Sequence, residues 1–126
     1  MKFRSRTLLK LAACAAIALC QPAFAGEADV VAAKAVQSSG GSWRIDATIR
    51  HDDEGWDHFA NQFDVVTPDG TVLGTRTLFH PHVNEQPFTR ALSSLQIPAD
   101  VSVITVRAKD SVHGYGGAEI QIELSR

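Results

Sequence analysis

Apolar and polar residues alternate along several segments of the chain. Between Trp43 and Arg50 the apolar residues fall on odd positions, and between Ala118 and Leu124 they fall on even positions. A period of two is typical of a β-strand that buries one face. Extended along the chain, the pattern predicts seven strands, at residues 30–36, 43–50, 59–67, 71–79, 88–95, 101–109 and 118–124. The alanines of the first segment would also suit a helix.

Short turns separate the predicted strands in pairs. Ser38-Ser39-Gly40-Gly41 follows the first, Pro68-Asp69-Gly70 follows the third, and Ile97-Pro98-Ala99-Asp100 follows the fifth. Glycine, proline and aspartate favour tight turns because of their backbone preferences and local hydrogen bonding. Seven short strands with turns at this spacing predict an all-β fold, a seven-stranded antiparallel β-sandwich of immunoglobulin-like layout. Trp43 is expected to fill its core.

The other three connections are longer and chemically richer. In an antiparallel sandwich each strand carries the chain to the opposite pole, so the second, fourth and sixth connections share one pole. They comprise residues 51–58, 80–87 and 110–116 and hold all five histidines: His51, His58, His80, His82 and His113. Loop clusters at one end of a sandwich often carry function. We therefore expect a binding site at this pole.

A transition-metal site is the first hypothesis for the histidines. His80 and His82 lie two apart around Pro81, and on an extended chain both rings would face the same side. His113 lies in the connection between the sixth and seventh strands and could be a third ligand. His51 or His58 could add a further nitrogen. Carboxylates nearby could bind the ion or orient an imidazole: Asp52, Asp53, Glu54, Asp57, Glu85 and Asp110. Imidazole and carboxylate without sulfur suit Cu(II), Zn(II) or Ni(II), and Cu(II) or Zn(II) is the expected ion.

The same pole also suits contact with another exported protein, without a metal. Trp56, Glu85, Arg90 and Tyr115 are the candidate contact residues. Two of them have a structural alternative: Trp56 could pack on the core from the loop side, and Arg90 could brace the loop against Glu85 or Asp57. We expect no enzyme, because the chain has no glycine-elbow serine, phosphate loop or dinucleotide fingerprint.

The first 25 residues read as a secretory signal peptide, followed by one domain at residues 26–126. Four basic residues precede the apolar run from Leu11 to Cys20, and Ala23-Phe24-Ala25 is a small-x-small cleavage signal. Alternatively, Leu11-Ala12-Ala13-Cys14 resembles a lipobox, which would place a lipid on Cys14. Cleavage after Ala25 sends the domain to the periplasm or outside the cell, and no later run is long enough to span a membrane.

Cleavage also changes the composition of the domain. It removes both cysteines, the single methionine and four of the twelve basic residues, which leaves eight Lys and Arg against fourteen Asp and Glu, a formal charge of −6. An acidic domain of this kind excludes nucleic acid and anionic lipid surfaces as partners. With the thiols and the thioether gone, histidines and carboxylates are the strong metal ligands that remain.

We call the pole formed by the three longer connections, residues 51–58, 80–87 and 110–116, the loaded pole. Two motifs at this pole resemble a known group of proteins. They are His-Pro-His-x-x-Glu-Gln-Pro-Phe-Thr-Arg at residues 80–90 and His-Gly-Tyr-Gly-Gly at residues 113–117. In these motifs the chain resembles a family of small exported bacterial proteins with an immunoglobulin- or fibronectin-III-like sandwich. The resemblance extends from about Trp43 to the C-terminus. It implies export and assigns no activity and no catalytic residue.

Overall fold

The computed structural model describes residues 26–126, and the predicted signal peptide with Cys14 lies outside the described residues. The described chain is all-β, as predicted. Its seven strands are β1 (Asp29–Gln37), β2 (Trp43–Arg50), β3 (Ala60–Val66), β4 (Val72–Thr77), β5 (Phe88–Leu95), β6 (Val103–Asp110) and β7 (Ile120–Glu123). Between residues 26 and 126 there is no helix long and apolar enough to cross a bilayer.

The strands form two antiparallel sheets, which confirms the predicted sandwich. One sheet has the order β1-β2-β5 and the other the order β4-β3-β6-β7. The tight turn at Pro68-Asp69-Gly70 joins β3 to β4 as a hairpin, so β4 stays beside β3. In the constant-type immunoglobulin order the fourth strand instead joins the sheet of the first, second and fifth strands.

The core lies between the two sheets and follows the alternation of the sequence. In β2 the odd positions Trp43, Ile45, Ala47 and Ile49 are all buried, while the even positions are exposed or half-buried. Phe63, Val65, Ile104 and Val106 of the second sheet belong to the same core cluster. Burial of these side chains, each about 1.5–3 kcal/mol for the larger residues, is the main driving force for the fold.

Strand ends differ from the predicted bounds where the chain leaves the sheet to build the loaded pole. β4 ends at Thr77, two residues before the predicted Phe79, which is 75% exposed. β6 runs one residue further than predicted, and its last residue, Asp110, is buried. The first segment is a strand rather than a helix because it pairs along its length with β2.

The three longer connections meet at one pole, as the strand parity requires. The Asp53 carboxylate of the β2–β3 connection accepts a hydrogen bond from the His82 amide of the β4–β5 connection at 2.6 Å. His58 of the β2–β3 connection lies 2.7 Å from the Asp110 carboxylate, which opens the β6–β7 connection. The sheets thus bring together residues that are up to 62 positions apart, from His51 to His113.

Candidate metal centre

Three imidazoles converge on one carboxylate oxygen at the end of β6. The Oδ2 atom of Asp110 lies 2.9 Å from His51 Nε2, 2.7 Å from His58 Nε2 and 2.9 Å from His113 Nδ1. The second oxygen, Oδ1, accepts the backbone N–H groups of His113 and Gly114 at 2.5 and 3.1 Å. The carboxylate is therefore held rigidly, and its free face points at the three rings.

A backbone carbonyl completes the cluster. The oxygen of Gly26 lies 2.9 Å from His51 Nε2 and 3.4 Å from His58 Nε2. Gly26 has a φ of +130°, and a Cβ placed on it would sit 2.6 Å from His113 Cε1. Only glycine fits at this position, because both the backbone conformation and the adjacent ring exclude a side chain. We call this set the Asp110 cluster: His51, His58, Asp110, His113 and the Gly26 carbonyl.

Two further carboxylates fix the orientation of the His51 and His58 rings. The Oδ1 atom of Asp53 lies 2.5 Å from His51 Nδ1, and Glu54 Oε1 lies 2.8 Å from His58 Nδ1. Asp53 is itself held, because its Oδ1 accepts the N–H of Ala60 at 3.1 Å. A carboxylate on the far nitrogen of a ring is the arrangement that orients histidine ligands in metal sites.

This arrangement leaves a mismatch of donors and acceptors at the centre. A neutral imidazole carries one proton, yet both ring nitrogens of His51 and of His58 face carboxylate oxygens. Whichever nitrogen carries the proton, the other presents a lone pair toward an oxygen that is also an acceptor. Either a second proton on each ring or a shared cation is needed to make these contacts attractive.

The carboxylate charges favour a cation in this cluster, and for the His58 ring they outweigh the cost of burial. His51 and Asp110 are buried, whereas the side chain of His113 is 39% exposed and opens the cluster to solvent. Burial by itself raises the pKa of the Asp110 carboxyl, but hydrogen bonds with His113 and His58 outweigh it and hold the pKa well below its usual value. The hydrogen bond with Glu54, then that with Asp110, raises the pKa of His58.

The spacing of the donor atoms is close to that of a metal site. One nitrogen each of His51 and His58 and an oxygen of Asp110 all lie within 4.8 Å of one another. An ion about 2.1 Å from every ligand needs ligand atoms no more than about 4.2 Å apart. Shifts of less than about 1 Å would therefore seat an ion at this distance from its ligands.

His80 and His82 lie in a second group, apart from the donors that meet at Asp110. Their rings are 4.7 Å apart, and the His82 ring stacks on Phe88 at 3.9 Å. Arg90 Nη2 donates to His82 Nε2 at 3.0 Å and also contacts Glu85 Oε1 at 3.4 Å. Burial, then the positive charge of Arg90, lowers the pKa of His82. This group, His80, His82, Glu85, Phe88 and Arg90, holds a neutral imidazole beside a guanidinium.

The predicted contact residues have different surroundings. Trp56 is 69% exposed at the loaded pole and touches Phe59 edge-on. The Tyr115 hydroxyl donates to the buried Asp64 Oδ2 at 2.5 Å, which ties the β6–β7 connection to the outer face of β3. Glu85 and Arg90 form an ion pair, which is the contact expected if Arg90 holds the loop in shape.

Three residues in or beside the cluster were not singled out by the sequence. Gly26 precedes the first strand and carries no side chain, but strand parity was the signal that could have found it: the start of β1 shares a pole with the end of β2. Asp110 and Asp53 appeared only among six candidate carboxylates. Their central positions depend on side-chain direction, which the sequence does not specify inside irregular loops.

Among curated proteins, the chain is similar to a protein of Halomicrobium mukohataei described as "Putative lipoprotein". The two are 35% identical over 97 residues, which cover 77% of this chain and 47% of the relative. The chain thus spans about half the length of the curated relative it matches. No protein-family model matches the chain, and no solved structure is significantly similar to it.

Proposed function

We propose that this protein is exported and binds a divalent transition-metal ion, Cu(II) or Zn(II), at the Asp110 cluster. The observation that carries the proposal is the mismatch at the centre, where His51 Nε2 and His58 Nε2 face the oxygens of Asp110 and Gly26. A cation bound by all four groups would convert these contacts into ligand bonds. The donors are imidazole and oxygen, which suit these two ions.

Export is supported from two directions. The basic, apolar and small-residue segments of the first 25 residues have the order of a secretory leader. The similarity to a protein described as a lipoprotein fits an exported chain, with lipid on Cys14 as the form that anchoring would take. Cleavage after Ala25, the form that this proposal adopts, leaves a domain with neither cysteine nor methionine, so its metal chemistry depends on histidine and carboxylate.

We propose binding rather than catalysis for this site. A catalytic metal keeps an open coordination position for water or substrate, whereas closed sites hold the ion with protein ligands alone. The Asp110 cluster offers five donors, namely three imidazoles, one carboxylate and one carbonyl. A full set of protein donors fits an ion that is stored, carried or used to fix the loops.

The test is the thermal unfolding of the mature protein with and without Cu(II), Zn(II) and Ni(II). An ion at a hundred times its Kd stabilises the native state by about 2.7 kcal/mol, which at about 4 °C per kcal/mol raises the Tm by roughly 10 °C. His58→Gln removes one ligand of the cluster and should abolish most of the shift. His80→Gln is the matched control, because His80 is exposed and belongs to the second group.

Two results would contradict the proposal. An unchanged Tm with all three ions means that the cluster binds none of them. A shift that His80→Gln abolishes and His58→Gln leaves intact would move the site to the second group. In the first case the extra protons, and not an ion, resolve the mismatch.

The exposed apolar residues of the same pole favour a second candidate function, docking to another exported protein without a metal. Trp56, Phe79, Val83 and Val112 lie on the three longer connections and are 55–75% exposed. Exposed apolar residues grouped at one place often mark an interaction surface. If this is the function, Trp56→Ala abolishes capture of the partner from a periplasmic extract, whereas His58→Gln leaves it unchanged.

A further inference from the structure

We infer that the free α-amino group of Gly26, released when the leader is removed, is a further ligand of the metal at the Asp110 cluster. The inference rests on the proposed function. It concerns when the site reaches its full affinity: the precursor would lack this ligand, and cleavage after export would add it. Metal binding would then tighten after export.

The position of Gly26 carries the inference. Its carbonyl oxygen already lies 2.9 Å from His51 Nε2 within the cluster. The amino nitrogen of the same residue is three bonds from that oxygen. An ion bound by both atoms closes a five-membered ring, the size that chelates divalent ions well. The nitrogen can therefore reach the same ion as the oxygen when rotation about the Gly26 Cα–C bond brings the two atoms to one side.

The start of β1 is fixed beside the histidines by the β6–β7 connection. Val30 N–H donates to the Ala118 carbonyl at 2.8 Å, and Ala118 N–H donates to Asp29 Oδ1 at 2.7 Å. A Cβ on Gly117 would lie 2.0 Å from the Ala28 carbonyl oxygen, so the two backbones are in direct contact. The connection that carries His113 thus also holds the segment that begins at Gly26.

The chemistry of the nitrogen changes on cleavage. In the precursor it belongs to the Ala25–Gly26 peptide bond, where resonance delocalises its lone pair and makes it a poor ligand. A signal peptidase uses one water molecule to break that bond, which yields the Ala25 carboxyl group and the Gly26 amine. The amine has a localised lone pair, and a nitrogen added to three imidazoles suits Cu(II) best. The predicted cleavage point, after Ala23-Phe24-Ala25, leaves Gly26 first.

The experiment uses the full gene, exported and processed in cells grown with ¹⁵N-glycine, and the mature protein loaded with Cu(II). Mass spectrometry verifies the first residue. Electron–nuclear double resonance then reports whether a ¹⁵N atom is bound directly to the copper. The imidazole nitrogens stay ¹⁴N, so a strong ¹⁵N coupling identifies the Gly26 amine. Cu(II) is the probe because a site of nitrogen and oxygen donors that takes Zn(II) also takes Cu(II).

A one-residue insertion provides the matched variant. An alanine inserted between Ala25 and Gly26 moves the amine one residue away and leaves the described fold unchanged, since β1 begins only at Asp29. We expect the ¹⁵N coupling to disappear and Cu(II) affinity to fall at least about tenfold, with the metal-free Tm unchanged. One residue added after Arg126 is the control and should alter none of these.

The outcomes separate the inference from the proposed function. Copper bound through ¹⁴N alone, with equal affinity in both forms, overturns the inference and leaves the proposed metal site standing. Failure of every form to bind Cu(II) overturns both. A ¹⁵N coupling that the insertion removes supports both.

Discussion

Replacement of Asp110 by asparagine is the most informative single change to this protein. The substitution keeps the shape of the side chain and removes its charge. The carboxylate is buried and contacts His51, His58 and His113 through Oδ2, and two backbone N–H groups through Oδ1. In Asp110→Asn the rings would face a neutral amide, whose NH₂ group cannot accept a hydrogen bond.

The magnitude follows from the burial of the group. Breaking a buried, hydrogen-bonded charge pair by removing one partner costs about 3–5 kcal/mol, because the other partner stays buried without compensation. At about 4 °C per kcal/mol for a domain of this size, the Tm of the metal-free protein should fall by roughly 12–20 °C. Asp52 lies in the same pole and is exposed, so Asp52→Asn should change stability by less than about 0.5 kcal/mol.

Urea unfolding of both variants at pH 6, without metal, measures the difference. A loss below about 1 kcal/mol in Asp110→Asn would refute the reasoning. It would mean that the three imidazoles gain little from the carboxylate and that the cluster is held by its surroundings. A large loss in both variants would point instead to the general charge of the pole.

Three further predictions concern the supports of the site. Asp53→Asn should weaken Cu(II) or Zn(II) binding by about tenfold to a hundredfold, because the carboxylate orients a ligand ring; an unchanged Kd in calorimetry would contradict this. The raised pKa values of His58 and His113 give stability that is full below the unfolded value of 6.5 and is lost as pH rises through the folded values. The metal-free Tm should therefore fall as the pH rises above 6.5, and a flat profile would contradict the raised pKa values. His82, whose pKa is lowered, destabilises only below 6.5, where its unfolded form takes up a proton. Tyr115→Phe leaves a buried carboxylate without one donor and should cost about 1.5–3 kcal/mol in urea unfolding; a neutral result would show that water replaces the hydroxyl.

The strands were predictable because each one depends on a local pattern. β2 matches its predicted bounds from Trp43 to Arg50, since every second residue enters the core. The predicted end of β4 lies two residues too far along the chain, because Leu78 is buried and continues the apolar pattern after the pairing with β3 has ended. The apolar pattern reports which residues are buried. It gives the bounds of a strand only where burial and strand pairing end at the same residue.

The shared pole was also predictable, and the grouping of the histidines within it was not. Parity needs only the number of strands, and the contacts of Asp53 and His58 across the three connections agree with it. The expectation for His80 and His82 assumed an extended chain with both rings directed at an ion. In the structure this segment is irregular, and Arg90 contacts the His82 ring nitrogen.

Electrostatics distinguish the two histidine groups at this pole as sites for a cation. The Asp110 cluster has three carboxylates in contact with its rings, from Asp53, Glu54 and Asp110. In the second group Arg90 Nη2 lies 3.0 Å from His82 Nε2. The positive charge of Arg90 lowers the pKa of His82, and it repels a metal ion for the same reason. The charges around the first group therefore favour a divalent ion more than those around the second, where repulsion by Arg90 opposes the attraction of Glu85 and Asp53. The removal of Arg90 should not lower the affinity of the Asp110 cluster, and its replacement by glutamate is the change that would make the second group compete for the ion.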